Sequence, residues 1–493
     1  MISVPAIVTF ILYFFFLLWV GIHFYKKTTS IDDYLLGGRR MGTWVTALSA
    51  QASDMSGWLL MGLPGAIYLS GVNQSWIAIG LLIGTFLNWI FVAPRLRIYT
   101  QEKDAITLST FFERRFNDPT GLLRIISAII ILVFFTIYAS SGLVGAGRLF
   151  ESMFKIDFKL TVIAGAFVMI LYTFLGGFMA VCWTDLFQGA LMFIAIIFVP
   201  VTAYFHVGGY SNIAAAIEAN KISMSLFRDG TGAISILTII STVAWGLGYF
   251  GQPHILARFM SIKSAKELPK STIIAMIWVT ISLTGAVFVG LIGIPIFPGL
   301  SGGSEEKVFI YMIEKLFNPW IGGVFLAAIL AAIMSTIDSQ LLVSSSALTE
   351  DFYKHLVKKD ASDAQQIWMG RICVLIISAI ALVLALTPGN TVMGLVSYAW
   401  GGFGASFGPV VLTALFSKKT SWQSALAGMV TGTIVLVLWK NIGLGNYLYE
   451  IIPGFISNFI AIWLFNLKFT YDRSDEIENI KKQIKSCEVK ING

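Results

Sequence analysis

The chain has 493 residues, of which 56% are hydrophobic and only 12% charged, with a formal net charge of +7. That composition excludes an ordinary soluble globule. Three widely separated cysteines, Cys182, Cys373 and Cys487, match neither a metal-ligand spacing nor a disulfide framework.

Apolar segments near the ~20 residues a helix needs to cross a bilayer recur along the whole chain. They predict thirteen spans, at about 3–25, 43–69, 75–94, 121–147, 160–181, 184–206, 231–252, 271–296, 320–349, 367–387, 392–416, 421–439 and 447–467. The first, "VPAIVTFILYFFFLLWVGIHFY", has no basic residue before it and no small-residue cleavage site, so it reads as a retained span rather than a signal peptide. Lys26 and Lys27 follow it at once. With the N-terminus outside, 25 of the 34 Lys and Arg fall in inner segments and 8 in outer ones. The opposite orientation would invert that bias, so the expected topology is N-terminus out and C-terminus in. The positive charge is then a topology signal and gives no reason to expect nucleic acid. The longest polar stretches, 95–120 and the tail after Lys468, hold about two dozen residues each, so no soluble or sensor domain is expected.

Span 2 contains "SAQASDMSGWLLMGLPG", residues 49–65, in which Asp54 is flanked by Ser53, Ser56 and Gly57 and followed by Pro64 and Gly65. Span 7 contains "WGLGYFGQP", residues 245–253, with three glycines and Pro253. Two interrupted spans, five apart, are what an inverted five-helix repeat predicts. A helix broken in mid-membrane frees carbonyls and N–H groups that lipid cannot satisfy, so the break has to line a cavity or hold an ion. The plain alternative is that these glycines only allow close helix packing.

Span 9, "AAIMSTIDSQLLVSSSALTEDFY", places Ser335, Asp338 and Ser339 on one helix face with Thr336 beside them. Hydroxyls, carboxylates and freed carbonyls suit a small hard cation, and an intramembrane carboxylate points to function. Asp185 begins predicted span 6, where it would also serve as an ordinary helix N-terminal acid. An intramembrane enzyme is disfavoured. The four histidines, His23, His206, His254 and His355, fall near predicted helix ends or loops, leaving no buried base for Ser56.

"DDYLLGGRRMG" at 32–42, "SDMSGWLLMGLPG" at 53–65, "CWTDLFQG" at 182–189, "WGLGYFGQPHILARFM" at 245–260 and the span 9 string together resemble the sodium:solute symporter family, and within it the bacterial sodium/proline branch. The resemblance implies an all-α polytopic membrane protein of the leucine-transporter type, with 13 transmembrane helices and a five-plus-five inverted repeat. Its parts would be 1–42 (first helix and inner loop), 43–206 (spans 2–6), 207–416 (spans 7–11), 417–467 (spans 12 and 13) and a polar tail, 468–493. The implied activity is sodium-coupled uptake of L-proline by alternating access across the cytoplasmic membrane, with another small solute as the alternative. Proline, sodium and the bilayer are the expected partners, with no obligate protein partner.

By the same resemblance, sodium is held by the backbone carbonyls of Ala52, Met55 and Ala332 and the hydroxyls of Ser335 and Thr336. Trp58, Tyr138, Trp245, Tyr249 and Pro253 fall at positions near substrate. The spacing of Trp245 and Tyr249 also puts them on one face of an α-helix, and aromatic faces suit a secondary ammonium and an apolar ring. Asp54, with Ser56 and Gly57 beside it, resembles the acid needed for coupling. Asp185, Asp338 and Ser339 would contribute to coupling or to a second cation site. Many members of the family carry serine or threonine where Asp338 stands, which leaves the sodium-to-proline ratio open.

Overall fold

A computed structural model describes residues 4–25, 30–175, 177–229, 232–387 and 389–489. Lys26 and Lys27, and the side chain of Cys487, lie outside the described residues. Among the described residues the structure is helical, with isolated β-bridges and no strand. The first helices are α1 (Val4–Tyr25) and the short α2 (Ile31–Leu36), then α3 (Thr43–Gly57) and α4 (Leu63–Ser70). Next come α5 (Ser75–Leu87), α6 (Ala93–Glu102), α7 (Leu108–Phe116), α8 (Leu122–Phe154), α9 (Phe158–Leu175) and α10 (Phe178–Val207). The second half holds α11 (Tyr210–Ala219), α12 (Ile236–Val243), α13 (Pro253–Ser261), α14 (Leu268–Ile296), α15 (Val308–Leu316), α16 (Pro319–Ser346), α17 (Asp363–Ala385) and α18 (Val392–Phe416). Finally, α19 (Trp422–Asn441), α20 (Ile451–Asn466) and α21 (Ser474–Val489) complete the chain.

Nine helical stretches are long and apolar enough to span a membrane among the described residues. Several of them start with a side-chain cap. Asn318 accepts from the N–H groups of Trp320 and Ile321 ahead of α16, and Ser362 forms a capping box with Gln365 ahead of α17. Burial sorts them into layers: 83% of the apolar stretch is buried in the helix that contains α16, against 28% in α1. The helix α16 is therefore central and packs against α3, α8 and α10. Large exposed apolar side chains such as Phe15, Phe167, Phe198, Ile273 and Val383 sit on the peripheral helices, facing where lipid would be.

Three boundaries differ from the sequence reading. The break between spans 5 and 6, expected at 182–184, lies at Gly177, whose extended backbone precedes Phe178. Hydropathy is nearly flat across this join, so only the glycine marks it. Asp185 consequently sits inside α10, two turns from its start, and is no helix-terminal acid. Span 7 does not end near residue 252, since α13 continues it to Ser261 and is almost wholly buried. Residues 253–261, expected to be loop, therefore belong to the core, including fully buried His254 and Arg258. The polar tail is helical: α21 docks through Ile477 and Ile480 and through Glu476 to Lys103 at 2.9 Å.

Candidate functional site

Both predicted interruptions are present. In α3 the helix breaks at Ser56 (φ 50°, ψ −172°), a conformation that non-glycine residues adopt at a cost of about 1–3 kcal/mol. The Ser56 hydroxyl accepts a bond from the Trp58 N–H at 3.0 Å, which offsets part of that cost. A π-helical turn, Trp58–Gly62, leads into α4 with Pro64 in its first turn. In the second segment, residues 244–251 wind as a 3₁₀-helix, Gln252 is extended, and Pro253 opens α13. The glycines here also serve packing. A Cβ on Gly246 would lie 2.2 Å from the Gly80 carbonyl, and one on Gly248 would lie 2.0 Å from the Trp400 ring. Interruption and close approach thus coexist in the same residues.

The 3₁₀ winding changes the relation of Trp245 to Tyr249. Four residues no longer return to the same face when three make a turn, and the two rings do different things. Trp245 stacks on Trp58 (centroids 5.3 Å apart) and on Tyr449 (5.6 Å), forming a three-ring ladder. Tyr249 meets Trp400 edge-on at 5.1 Å and donates its hydroxyl to Asp54 Oδ2 at 2.5 Å. Tyr138 donates to the Asp54 carbonyl at 3.4 Å. These groups, with Met55, Leu81 and Val396, surround a narrow cavity with a free volume of about 10 Å³. Four of the five expected substrate residues, Trp58, Tyr138, Trp245 and Tyr249, line it; Pro253 stands outside the lining, at the start of α13. Trp400 is a lining residue that the sequence reading missed. Its indole Nε1 donates to the Trp245 carbonyl at 2.7 Å, pinning the 3₁₀ segment to α18.

Four of the five expected sodium ligands converge beside this cavity, between α3 and α16. The Ser335 hydroxyl donates to the Ala52 carbonyl at 2.9 Å and the Ala332 carbonyl at 3.1 Å. Thr336 Oγ1 lies 3.5 Å and 3.3 Å from the same two oxygens. Two neutral carbonyls and two hydroxyls, all buried, are a donor set suited to a monovalent hard cation. The Met55 carbonyl accepts the Trp58 N–H instead. Gly57 abuts Ile333 of α16, where a Cβ would lie 2.8 Å from its side chain, so the break and the oxygen cluster are held in register.

A second buried cluster lies among α3, α10, α13 and α16. Arg258 and Asp185, both fully buried, form an ion pair at 3.2 Å. Ser49 donates to Asp185 Oδ2 at 2.6 Å and accepts from Arg258 Nε at 3.1 Å. Arg258 also donates to the Ser339 hydroxyl and to the His254 carbonyl, the latter at 3.0 Å. The guanidinium therefore ties together the acid and the serine expected to hold a second cation. Asp338, the residue before Ser339, is buried as well. His254 corrects the expectation that no histidine is buried. Its ring packs against Phe135 and Tyr138 (5.5 and 6.2 Å between centroids), and neither ring nitrogen has a hydrogen-bond partner among the described residues.

Interrupted helices meeting at one aromatic-lined cavity, inside an apolar helical bundle, define a multi-pass membrane carrier. The model of the sodium:solute symporter family matches residues 34–432, and the chain belongs to that family. It is 50% identical over 473 residues to a sodium/proline symporter of Salmonella typhimurium, covering 94% of this chain and 93% of the relative. A high-affinity proline transporter of Bacillus subtilis is 50% identical over 456 residues (92% and 95%), and an osmoregulated proline transporter of the same species is 48% identical over 465 (93% and 94%). Among solved structures, a sodium-coupled sialic acid symporter in a substrate-bound outward-open state aligns with TM-score 0.80 at 19% identity, covering 96% of this chain and all of that one. A nucleobase-cation symporter in a closed conformation aligns with TM-score 0.54 at 11% identity, covering 88% and 92%. At these identities the two structures speak for the fold alone.

Proposed function

We propose that the chain is a secondary active transporter that takes up L-proline with sodium by alternating access. The observation that carries this reading is the meeting of two interrupted helices at one aromatic cavity, with an oxygen cluster fit for sodium beside it. Proline presents a carboxylate, a secondary ammonium and a small apolar ring. The rings of Trp58, Trp245 and Tyr138 suit the apolar ring and the cation, and the N-terminal end of α13 favours the carboxylate. Ala52, Ala332, Ser335 and Thr336 hold the ion, and Met55 joins them when its carbonyl exchanges the Trp58 N–H for sodium. Asp54 supplies a fixed negative charge between ion and substrate, which accounts for a carboxylate in the membrane.

The nine long apolar stretches, three shorter apolar helices and the interrupted 43–70 segment together support thirteen crossings. The inner bias of Lys and Arg supports an outside N-terminus and an inside C-terminus. The interruptions in α3–α4 and α12–α13 support inverted repeats over 43–206 and 207–416, with 1–42, 417–467 and 468–493 outside them. The test is uptake of labelled proline by the purified protein in liposomes. Accumulation should require an inward sodium gradient. Equal accumulation with potassium in place of sodium, and no proton gradient, would overturn the reading.

A further inference from the structure

The transport site leaves one cluster of buried charge unused, on the face assigned as cytoplasmic. Arg115, at the end of α7, and Arg473, just ahead of α21, are 1% and 3% exposed. Both guanidinium groups lie near the Phe116 ring, at 5.9 Å and 5.5 Å from its centroid. Tyr99 lies under Arg115 at 4.9 Å and Tyr471 under Arg473 at 4.8 Å. Arg115 Nε donates to the Ala414 carbonyl at 2.7 Å. Arg115 also reaches Tyr99 and Glu476, whereas all three side-chain nitrogens of Arg473 have no hydrogen-bond acceptor among the described residues.

The compensating charge is thin. Glu476 Oε2 lies 3.4 Å from Arg115 Nη1, but the other oxygen of that carboxylate is taken by Lys103 at 2.9 Å. Asp472, the residue before Arg473, is turned to the N–H and hydroxyl of Ser474 at 2.9 and 2.7 Å. Exposed Lys418 and Lys419 flank the group, and the Lys418 carbonyl accepts the Arg473 N–H at 2.7 Å. Two buried guanidinium groups and Lys103 therefore share one carboxylate. Buried donors without acceptors are rare in folded proteins, and stacked, planar guanidinium forks fit phosphate oxygens two at a time.

We propose that Arg115 and Arg473 form a binding site for a phosphate group, carried by an anionic lipid headgroup or by free inorganic phosphate, beneath the first turn of α21. Burial and the neighbouring Arg115 hold the Arg473 guanidinium down to about 10. Glu476, a third exposed, lies between the arginine pair and the aqueous face. Basic pockets at the cytoplasmic side of membrane helices are suited to lipid phosphates.

The experiment is a melting curve of the full-length protein in neutral detergent. One arm titrates sodium phosphate against sodium chloride at matched sodium and ionic strength; the other adds phosphatidylglycerol against phosphatidylcholine. The wild type should melt at least about 2 °C higher with ligand near a hundred times its dissociation constant. Stabilisation by phosphate alone identifies a free anion, by phosphatidylglycerol alone a lipid headgroup, and by both a general phosphate site. Arg473→Gln should lose the rise, Arg473→Lys should keep a smaller one, and Lys419→Gln, which removes an exposed charge, should keep it all. No rise in the wild type above either control overturns the proposal, as does an undiminished rise in Arg473→Gln. If Arg473→Gln yields no folded protein, the wild-type arms and Arg473→Lys decide the matter, an equal rise in the lysine form counting against the guanidinium fork.

Discussion

Replacing Arg258 with methionine keeps an unbranched apolar stem and removes the charged guanidinium. Asp185 would then be a fully buried carboxylate whose remaining bond comes from Ser49. Removing one partner of a buried ion pair costs about 3–5 kcal/mol, because the other charge is left without compensation. Replacing both partners by neutral groups of similar volume is often close to neutral. Arg258→Met and Asp185→Asn should therefore each destabilise strongly, while the double variant recovers most of the loss. A coupling of at least about 2 kcal/mol is expected in the double-mutant cycle. Melting of the purified variants in detergent, at fixed sodium, measures it. A second titration sharpens the test. With the guanidinium gone, Asp185 and the hydroxyls of Ser49 and Ser339 are left to a mobile cation, so added sodium should raise the melting temperature of Arg258→Met more than that of the wild type. Strictly additive losses would refute the reading of these residues as one charge-balanced unit. An equal sodium response in both proteins would refute the idea that Arg258 fills a cation's place.

Asp54 stands two residues from Ala52, and at an effective dielectric of about 20 a carboxylate within several ångströms of a sodium ion attracts it by about 2–3 kcal/mol. Asp54→Asn should thus raise half-activating sodium by about fifty-fold in uptake assays and Asp54→Glu by less; near-normal uptake by the Asn form would end the electrostatic role. Ser335→Ala or Thr336→Ala should shift sodium activation by about one to two decades at unchanged abundance, the ~1–3 kcal/mol of a lost ligand. Unchanged curves in both would return these hydroxyls to simple bonding with the Ala332 carbonyl. Trp245→Ala should weaken proline binding at least about tenfold while leaving an inserted, folded protein. Normal affinity in the surviving protein would assign that ring to packing.

Much of this was legible because interruption leaves a chemical trace. Glycine and proline beside Asp54, and hydroxyls such as Ser335 and Thr336 beside a carboxylate, cannot be neutral in an apolar run, and both breaks and the hydroxyl pair lie where those residues stand. What escaped is as physical. The join before α10 carries no change of hydropathy, so Asp185 was placed at a helix start instead of two turns inside. Arg258 falls among the loop cations in the sequence reading because the predicted span stops at residue 252. The available clue was its neighbourhood, "HILARFMS", in which every flanking residue but His254 and Ser261 is apolar. Its partner lies 73 positions away, and no local pattern announces such a pairing. Trp400 was lost among 14 tryptophans, because its role depends on a carbonyl 155 residues distant.

On the function proposed above, coupling follows from how little chain separates the two proposed sites. The Ala52 carbonyl faces the oxygen cluster, and two residues on the Asp54 carboxylate faces the cavity through Tyr249. Both belong to the last turn before the Ser56 break, so neither can be repositioned without moving the other. A ligand shifts a conformational equilibrium only by its different affinity for the two states. A sodium ion on Ala52 does this when the α3 break keeps its distance from α16, since Ser335 and Thr336 lie on a helix buried all round. Proline reaches the same turn from the other side, between Trp58 and the 3₁₀ segment. Linkage is reciprocal: whatever factor sodium contributes to proline affinity, proline contributes to sodium affinity. Asp54 sits between the two, so neutralising it should lower that shared factor rather than one affinity alone. Its loss would be read equally in the proline dependence of sodium binding and the sodium dependence of proline binding.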